Sequence, residues 1–344
     1  MPLLLIHSDR FAEHQTPPGH PERPERAEVM GVVASEWRRQ GGEVVAPREA
    51  TSEQLRRVHD GEYLTRIADT AGRAVALDVD TYTSPETHEI ALLAAGAAVE
   101  AVERVMGGVA TRALALVRPP GHHAGRNRAM GFCVYNNIAV AAAHARALGV
   151  SRLAIVDYDV HHGNGTEHLF ETDPSILYVS AHQFPFYPGT GPAEEVGRGR
   201  GEGLTVNLPL EVGATDDDYR IVFAEVIVPV LRQFRPELLL ASAGFDAHER
   251  DPLGGMRLTS GAFAAMTSDL RQVAEECCGG RLAAVTEGGY DLSALAESLL
   301  GVVKVLGPDQ PPPASWPRCE IPSERGRAAV DACKRAIGRF WKLP

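Results

Sequence analysis

The stretch Arg152–Phe170, RLAIVDYDVHHGNGTEHLF, constrains the fold more than any other part of the chain. Its apolar half, Leu153 to Val156, is what a strand buried on both faces looks like. That run then gives way to Asp157, Asp159, His161 and His162. Strand side chains alternate between faces, so Asp157, Asp159 and His161 are expected to project to one side. Two acids and an imidazole at the edge of a core are costly to desolvate unless something compensates them. A divalent cation is the simplest compensation.

Short apolar runs alternate with helical patterns around this strand. Further strands are expected at Leu3–Ile6, Leu114–Val117, Ile176–Ser180, Thr205–Leu208, Leu238–Ala241 and Leu282–Thr286. Helices are expected over Glu25–Arg39, Ser52–Ala68, Glu86–Val105, Asn136–Leu148, Asp216–Phe234, Ser260–Glu276, Leu292–Leu306 and Glu324–Trp341. Ser52 reads as an N-cap with Glu53 in the first turn. Ser84-Pro85-Glu86 reads as cap, proline and acid opening a long alanine-rich helix. This alternation predicts an α/β fold, a single open, mostly parallel sheet with helices on both faces. No internal repeat or domain-scale linker interrupts it. The proline-rich segment near 308–317 is the one boundary. It divides a principal domain, 1–307, from a connector and C-terminal helix, 308–344, expected to pack on the same domain. The glycine-rich GRGRGEG lacks Walker spacing and a Lys-Ser/Thr ending, and is expected to be a flexible loop.

Polar residues fall where strands end. His122 and His123 follow one strand; Asp157, Asp159 and His161 end another. Ser180 and His182, Asp246, and Glu287 to Tyr290 end three more. In open parallel sheets, sites form outside the carboxyl ends of the strands, so one shared site is expected there. Asp159, His161 and Asp246 could hold a Zn2+ with its charge balanced and leave a position for water and substrate. Spacing alone admits Mn2+ or Fe2+ as well. Two helix caps and a core histidine is the bland alternative. It is credible for any one of the three residues and poor for all of them together. A His pair such as His122-His123 can divide general-base and electrostatic roles, although alone it would read as a surface loop. Tyr290 follows Gly288-Gly289, where backbone can approach closely, and a phenol there could donate to a developing oxyanion. Without its neighbours it would read as a tyrosine in a tight turn. Cys133 has no evident base and reads as packing. His20, His59, His88, His144 and His168 read as surface or core residues.

Composition sets outer limits. At 344 residues and 44% hydrophobic, the chain can bury a sizeable core. A net charge of −11 disfavours direct nucleic-acid binding and suits a cationic substrate. The five cysteines are odd in number and lack a Cys-x-x-Cys pair, which reads as a reducing compartment. The N-terminus has no basic region before its apolar run, and no span approaches the ~18 apolar residues of a membrane helix. A soluble, cytoplasmic protein is expected, with no membrane partner.

RPPGHHA, MGFC, IVDYDVHHGNGT, LYVSAHQ, SAGFDAHERDPLGG and EGGYDL, taken in order, resemble the histone deacetylase superfamily. They look most like its class II branch, which includes bacterial deacetylase-like amidohydrolases and acetylpolyamine amidohydrolases. The match runs from His7 to Leu306. The resemblance implies Asp159, His161 and Asp246 as Zn2+ ligands and His123 as general base and then acid. His122 would be the electrostatic partner, oriented by Asp157. Asn164 stands beside the second histidine where the first class has an aspartate, and a neutral partner stabilises imidazolium less than a carboxylate would. Tyr290 would stabilise the tetrahedral intermediate. Gly131, Phe132 and Tyr187 would line a tunnel for the acyl-lysine stem, with Gly289 and Leu253 also at the substrate. Tyr187 stands where the family usually has phenylalanine. Arg26, in PERPER, resembles the arginine at the floor of the inner cavity. A K+ site is implied at Asp157, Asp159, His161, Ser180 and Ala181, and a second at the carbonyls of Phe170, Asp173 and Ile176. Leu253 occupies the position of a glutamate in polyamine-selective relatives, so a second ammonium group would find no partner there. The implied activity is zinc-dependent removal of acetyl or other acyl groups from the ε-amine of lysine or a lysine-like amine. An acetylpolyamine or other small-molecule deacetylase, a non-catalytic acyl-lysine binding module and an arginase-like binuclear Mn2+ enzyme are the alternatives. The oligomeric state is open, a homo-oligomer included.

Overall fold

Eight strands, all parallel, form one open sheet in the order β2-β1-β3-β8-β7-β4-β5-β6. They are β1 (Leu3–Ile6), β2 (Glu43–Val45), β3 (Arg112–Ala115), β4 (Leu153–Asp157), β5 (Ile176–Gln183), β6 (Thr205–Leu210), β7 (Leu238–Ala243) and β8 (Leu282–Thr286). The computed structural model describes residues 3–307, 315–317 and 323–344. Of the expected proline-rich connector over 308–317, only 315–317 lie within the described residues.

The period-2 pattern of the strands builds two cores. On β4, Leu153 and Ile155 join one apolar cluster, with helices α4 (Thr87–Met106) and α5 (Asn137–Ala147). Ala154 and Val156 join the other. There α1 (Glu25–Arg39), α9 (Ser260–Cys278), α10 (Leu292–Leu306) and α11 (Glu324–Ile337) supply the covering residues. Each buried Val, Leu or Ile side chain contributes about 1.5–3 kcal/mol. A one-residue slip of β4 would exchange its faces, so the register is strongly specified. In that register Asp157 lies between Ser180 on β5 and Ser242 on β7.

Several expectations are corrected. The helix expected over 52–68 is two, α2 (Ser52–Arg56) and α3 (Gly61–Ala68), and its cap is Thr51, whose hydroxyl accepts the Gln54 N–H in a capping box. The break turns His59 inward, where Nδ1 donates to the Gly125 carbonyl (2.9 Å) and Nε2 accepts the Asn136 N–H (3.0 Å). The alanine-rich helix starts at Thr87 rather than Glu86, because the Thr87 hydroxyl accepts the Ser84 N–H (2.7 Å) and holds Ser84–Glu86 in a turn. β3 begins and ends two residues early, since the Val117 N–H goes to the Thr286 hydroxyl (2.8 Å) instead of a strand partner. The helical run over 216–234 contains a π-turn at Phe223–Ile227 between α7 (Asp216–Val222) and α8 (Val228–Phe234). Pro229 follows it and has no N–H to donate one turn back, so the regular helical ladder is interrupted at the same place. GRGRGEG is a tight turn whose Arg198 N–H reaches the Glu171 carbonyl (2.6 Å), with Gly201 packed against the same carbonyl. The short edge strand β2 escaped the sequence pattern.

Candidate metal centre and active site

The carboxyl ends of β3, β4, β7 and β8 meet at one buried cluster. Asp159, His161 and Asp246 each offer one donor atom, and these atoms lie within 4.8 Å of one another. His161 Nδ1 is 3.2 Å from both Asp159 Oδ1 and Asp246 Oδ2. Strand alternation does not bring them together, because β4 ends at Asp157. The chain turns there instead: the Asp159 N–H donates to Asp157 Oδ1 (3.2 Å) and the His161 N–H to Asp159 Oδ1 (2.9 Å). Asp246, after β7, is held by the Val160 N–H (2.8 Å), and Asp159 Oδ2 by the Gly288 N–H (2.8 Å).

The donor set suits a divalent cation. Burial and the Asp159 charge push the Asp246 carboxyl up, and burial opposes a charged His161, yet the two carboxylates outweigh it and lift the imidazole to about 9. The site thus favours positive charge at its centre. Two carboxylate oxygens and one imidazole nitrogen match the ligand preferences of Zn2+ and balance its charge. It is the one such group among the described residues, so no second set of ligands supports a binuclear centre there.

His122 and His123 stand beside it with rings 4.1 Å apart and unlike partners. His122 Nδ1 donates to Asp157 Oδ2 (3.0 Å), which also accepts from the Tyr178 hydroxyl (3.2 Å). Burial disfavours charge on His122, but Asp157 and Asp159 outweigh it and raise the group to about 10. His123 Nδ1 donates to Asn164 Oδ1 (2.8 Å). Burial, with His122 and His161 nearby, drives its pKa well below the usual value. The two imidazoles are therefore biased in opposite directions, His122 toward the charged form and His123 toward the neutral one. Burial holds the Tyr290 phenol well above its usual value, so it remains a donor.

Above the cluster is a pocket of about 240 Å3, floored by His123, His161 and Tyr290 and walled by Gly131, Phe132, Phe186 and Tyr187, with Leu253 and Asp80. Phe186 stacks on His161 at 5.4 Å, and Tyr187 meets the His123 ring edge-on at 5.3 Å. Gly131 (φ 56°) has to be glycine here, since a Cβ would overlap the His123 ring. Arg26 lies behind the tyrosine, 4.9 Å from its ring, and donates to the Gly289 carbonyl (2.7 Å). Asp157 and Ser180 are register neighbours beside the cluster, with Ala181 next along β5. Phe170, Asp173 and Ile176 lie together in the turn from α6 (Asn164–Phe170) into β5. His182 does not join the site: it packs on His162 at 4.6 Å and donates to the Gly191 carbonyl (2.9 Å).

Sequence reasoning missed Asp80, Phe186, His20 and Asp251. Asp80 Oδ1 accepts the Gly131 N–H (3.2 Å), while His20 packs edge-on against Phe132 at 4.7 Å. Asp251 accepts the Tyr290 N–H (2.6 Å) and the Leu253 N–H (2.9 Å), fixing floor and wall together. The signals that could have found them are the aromatic run of HQFPFYPGTG for Phe186 and the acid two residues before Leu253 in DPLGG for Asp251; no pattern in the sequence points to Asp80.

Comparison with known proteins identifies the family. The histone deacetylase domain matches residues 20–306. The chain belongs to the histone deacetylase superfamily. It is 41% identical to the human protein named polyamine deacetylase HDAC10, over 98% of this chain and 52% of that one. A probable deacetylase of Archaeoglobus fulgidus is 35% identical over 98% of both chains. The crystal structure of the HDA15 HD domain superposes with a TM-score of 0.90 at 36% identity, covering 98% of this chain and 95% of that one. The chain thus spans about half the length of the human protein named polyamine deacetylase HDAC10. Among the described residues, no helix is long and apolar enough to cross a membrane.

Proposed function

We propose that this chain is a zinc-dependent deacetylase that hydrolyses the amide of an acylated lysine or lysine-like amine, chiefly acetylated. The observation that carries the reading is that the Asp159-His161-Asp246 group shares His161 with the apolar-walled pocket that His123 and Tyr290 also line. Asp159, His161 and Asp246 would hold the zinc, which supplies Lewis acidity toward a carbonyl oxygen and toward water.

The remaining chemistry belongs to side chains. Asn164 Oδ1 accepts a hydrogen bond from His123 Nδ1–H, so His123 Nε2 carries the free lone pair. A neutral imidazole at that place can take a proton from water at Nε2 and then return it to the leaving amine. His122, which the Asp157 carboxylate favours in its protonated form, is the poorer base and instead supplies positive charge. Tyr290 donates to the oxygen on which negative charge develops. Gly131, Phe132 and Tyr187 sheathe the alkyl stem of the amine, with Leu253 and Gly289 at the ends of the wall and Arg26 bracing the tyrosine from behind. We also propose K+ at Asp157, Asp159, His161, Ser180 and Ala181, a second K+ at the Phe170, Asp173 and Ile176 carbonyls, and a cytoplasmic setting. The four cysteines among the described residues are free, in keeping with that setting.

Asp80 favours a second reading. Asp80 lines the pocket, where its carboxylate could pair with a second ammonium group of a small acetylated polyamine. The deciding assay gives zinc-loaded protein an acetyl-lysine peptide, longer acyl-lysine peptides, acetylputrescine and acetylspermidine. Acetate release from the peptide, abolished by chelation and restored by zinc, is the expected result. Release from the polyamines alone would replace the first reading with the second. Substrate binding without any release would leave a binding module.

A further inference from the structure

The segment carrying His122 and His123 belongs to no helix or strand. Every polar backbone group of a buried turn must find a partner elsewhere. On one side, Asn136 Nδ2 donates to the Ala124 carbonyl (3.0 Å), Asn137 Nδ2 to the Pro119 carbonyl (3.1 Å), and the Thr166 N–H to the His122 carbonyl (3.1 Å). Those bonds fix carbonyls only. On the opposite side, two consecutive N–H groups, of Gly121 and His122, point at a single oxygen, Oε2 of Glu287, at 2.6 and 3.1 Å.

Glu287 is itself immobilised. It is fully buried. Its other carboxylate oxygen accepts the Ser242 hydroxyl (3.2 Å), its N–H donates to the Ala243 carbonyl (3.0 Å), and its carbonyl accepts Arg26 Nη2 (2.6 Å). Successive backbone N–H groups form a concavity that suits an anion. Here a side chain of the same protein fills it, reaching from the end of β8 to the turn after β3.

We infer that Glu287 is the positioning residue of the His122-His123 pair, its carboxylate setting where both imidazoles stand. It touches neither substrate nor the metal ligands. Its catalytic consequence rests on the deacetylase reading; its grip on the turn does not. Displacement of a proton-transfer group by about 1 Å can cost ~100-fold in rate. A glutamine at 287 can keep all three bonds, with its oxygen toward the two N–H groups and its NH2 toward the Ser242 hydroxyl. A methionine fills the same space and offers the N–H groups no acceptor.

The test compares Glu287→Gln and Glu287→Met with the unaltered chain, zinc-loaded, on an acetyl-lysine peptide. Expected are a kcat within ~3-fold for the Gln variant and a kcat lower by ~30-fold or more for the Met variant, with KM and zinc stoichiometry unchanged in both. Normal kcat in the Met variant, or equal losses in both, would overturn the inference; equal losses would point to charge rather than to hydrogen bonding. Should the Met variant lose zinc or fail to fold, Ser242→Ala, which releases one end of the carboxylate, must lower kcat by ~3-fold or more at unchanged KM, or the inference falls. Hydrogen exchange at the amides of residues 121–124 is read in parallel. It should quicken in the Met variant and not in the Gln variant. That arm judges the grip of Glu287 even if the unaltered chain releases no acetate, a result that would count against the deacetylase reading alone.

Discussion

Tyr290 on the pocket floor and Asp159 in the buried group beside it have separable duties. Asp159 offers an oxygen to the group that could hold a metal and anchors the His161 N–H, so Asp159→Ala removes both a proposed ligand and the turn that presents the next one. Metal content and acetate release should fall together, as read by metal analysis and assay on one preparation. Tyr290 belongs to no ligand group, and Tyr290→Phe keeps its ring between Phe132 and Arg26. Zinc content should stay at the wild-type level while kcat drops by about 10²–10³, the usual cost of one oxyanion donor. Normal turnover in Tyr290→Phe would remove the tyrosine from the mechanism. Asn164 offers a third test. Its neutral oxygen leaves burial and two neighbouring imidazoles to depress His123. A carboxylate in Asn164→Asp would favour the imidazolium, so the His123 pKa must rise. The acid limb of the kcat/KM profile should then move to higher pH, and a limb that stays put would show that another group sets it.

At the scale of elements, strand ends were more legible than strand surroundings. The runs LAIV, LLLA and LAAV declare buried parallel strands by composition alone, and the polar residue that follows each one declares where the site lies. What brings Asp159 to His161 was not legible, because it is a turn bonded through its own carboxylates rather than a continuation of β4. Nor was the split at His59, whose partners Gly125 and Asn136 are far along the chain. β2 carries Glu43 and only three residues, too little pattern to separate from a loop. The C-terminal helix is an element whose docking can be tested. Gly326 of α11 donates its N–H to Asp218 Oδ1 (2.7 Å), and a Cβ would press on the Asp218 backbone. We propose that 324–337 unfolds with the principal domain as one unit. Gly326→Val should lower stability by about 1–3 kcal/mol through overpacking while leaving kcat unchanged. A separate early transition in urea would show that the helix stands apart.

On the scale of the whole molecule, one buried charge cluster ties distant segments together behind the site, and its pH dependence follows from its partners. Glu22 is fully buried; Arg118 meets it at 2.6 and 2.7 Å, Arg26 at 2.9 Å and His14 at 3.5 Å. Arg118 also donates to the Phe11 carbonyl (2.8 Å), so the cluster joins the loop after β1, the start of α1 and the turn after β3. Breaking one partner of such a group leaves a buried charge uncompensated, at a cost of about 3–5 kcal/mol. Glu22→Gln should therefore lower unfolding free energy by that amount at pH 7. Burial alone would raise the Glu22 carboxyl, but Arg118, His14 and Arg26 outweigh it and hold the group well below the usual carboxylate range. Its folded pKa is then below its unfolded value of about 4.3. Between those two values the unfolded chain binds the extra proton, so stability rises with pH and falls on acidification. The contribution of Glu22 is complete above about pH 4.3 and is lost as pH drops through the folded value. Urea midpoints of the unaltered chain and of Glu22→Gln, measured from pH 7 to pH 3, should stay well separated down to that point and converge below it. Subtracting one from the other cancels every other titrating group. A constant separation over the whole range would mean that Glu22 does not change protonation on unfolding, and that its two arginines hold it for shape alone.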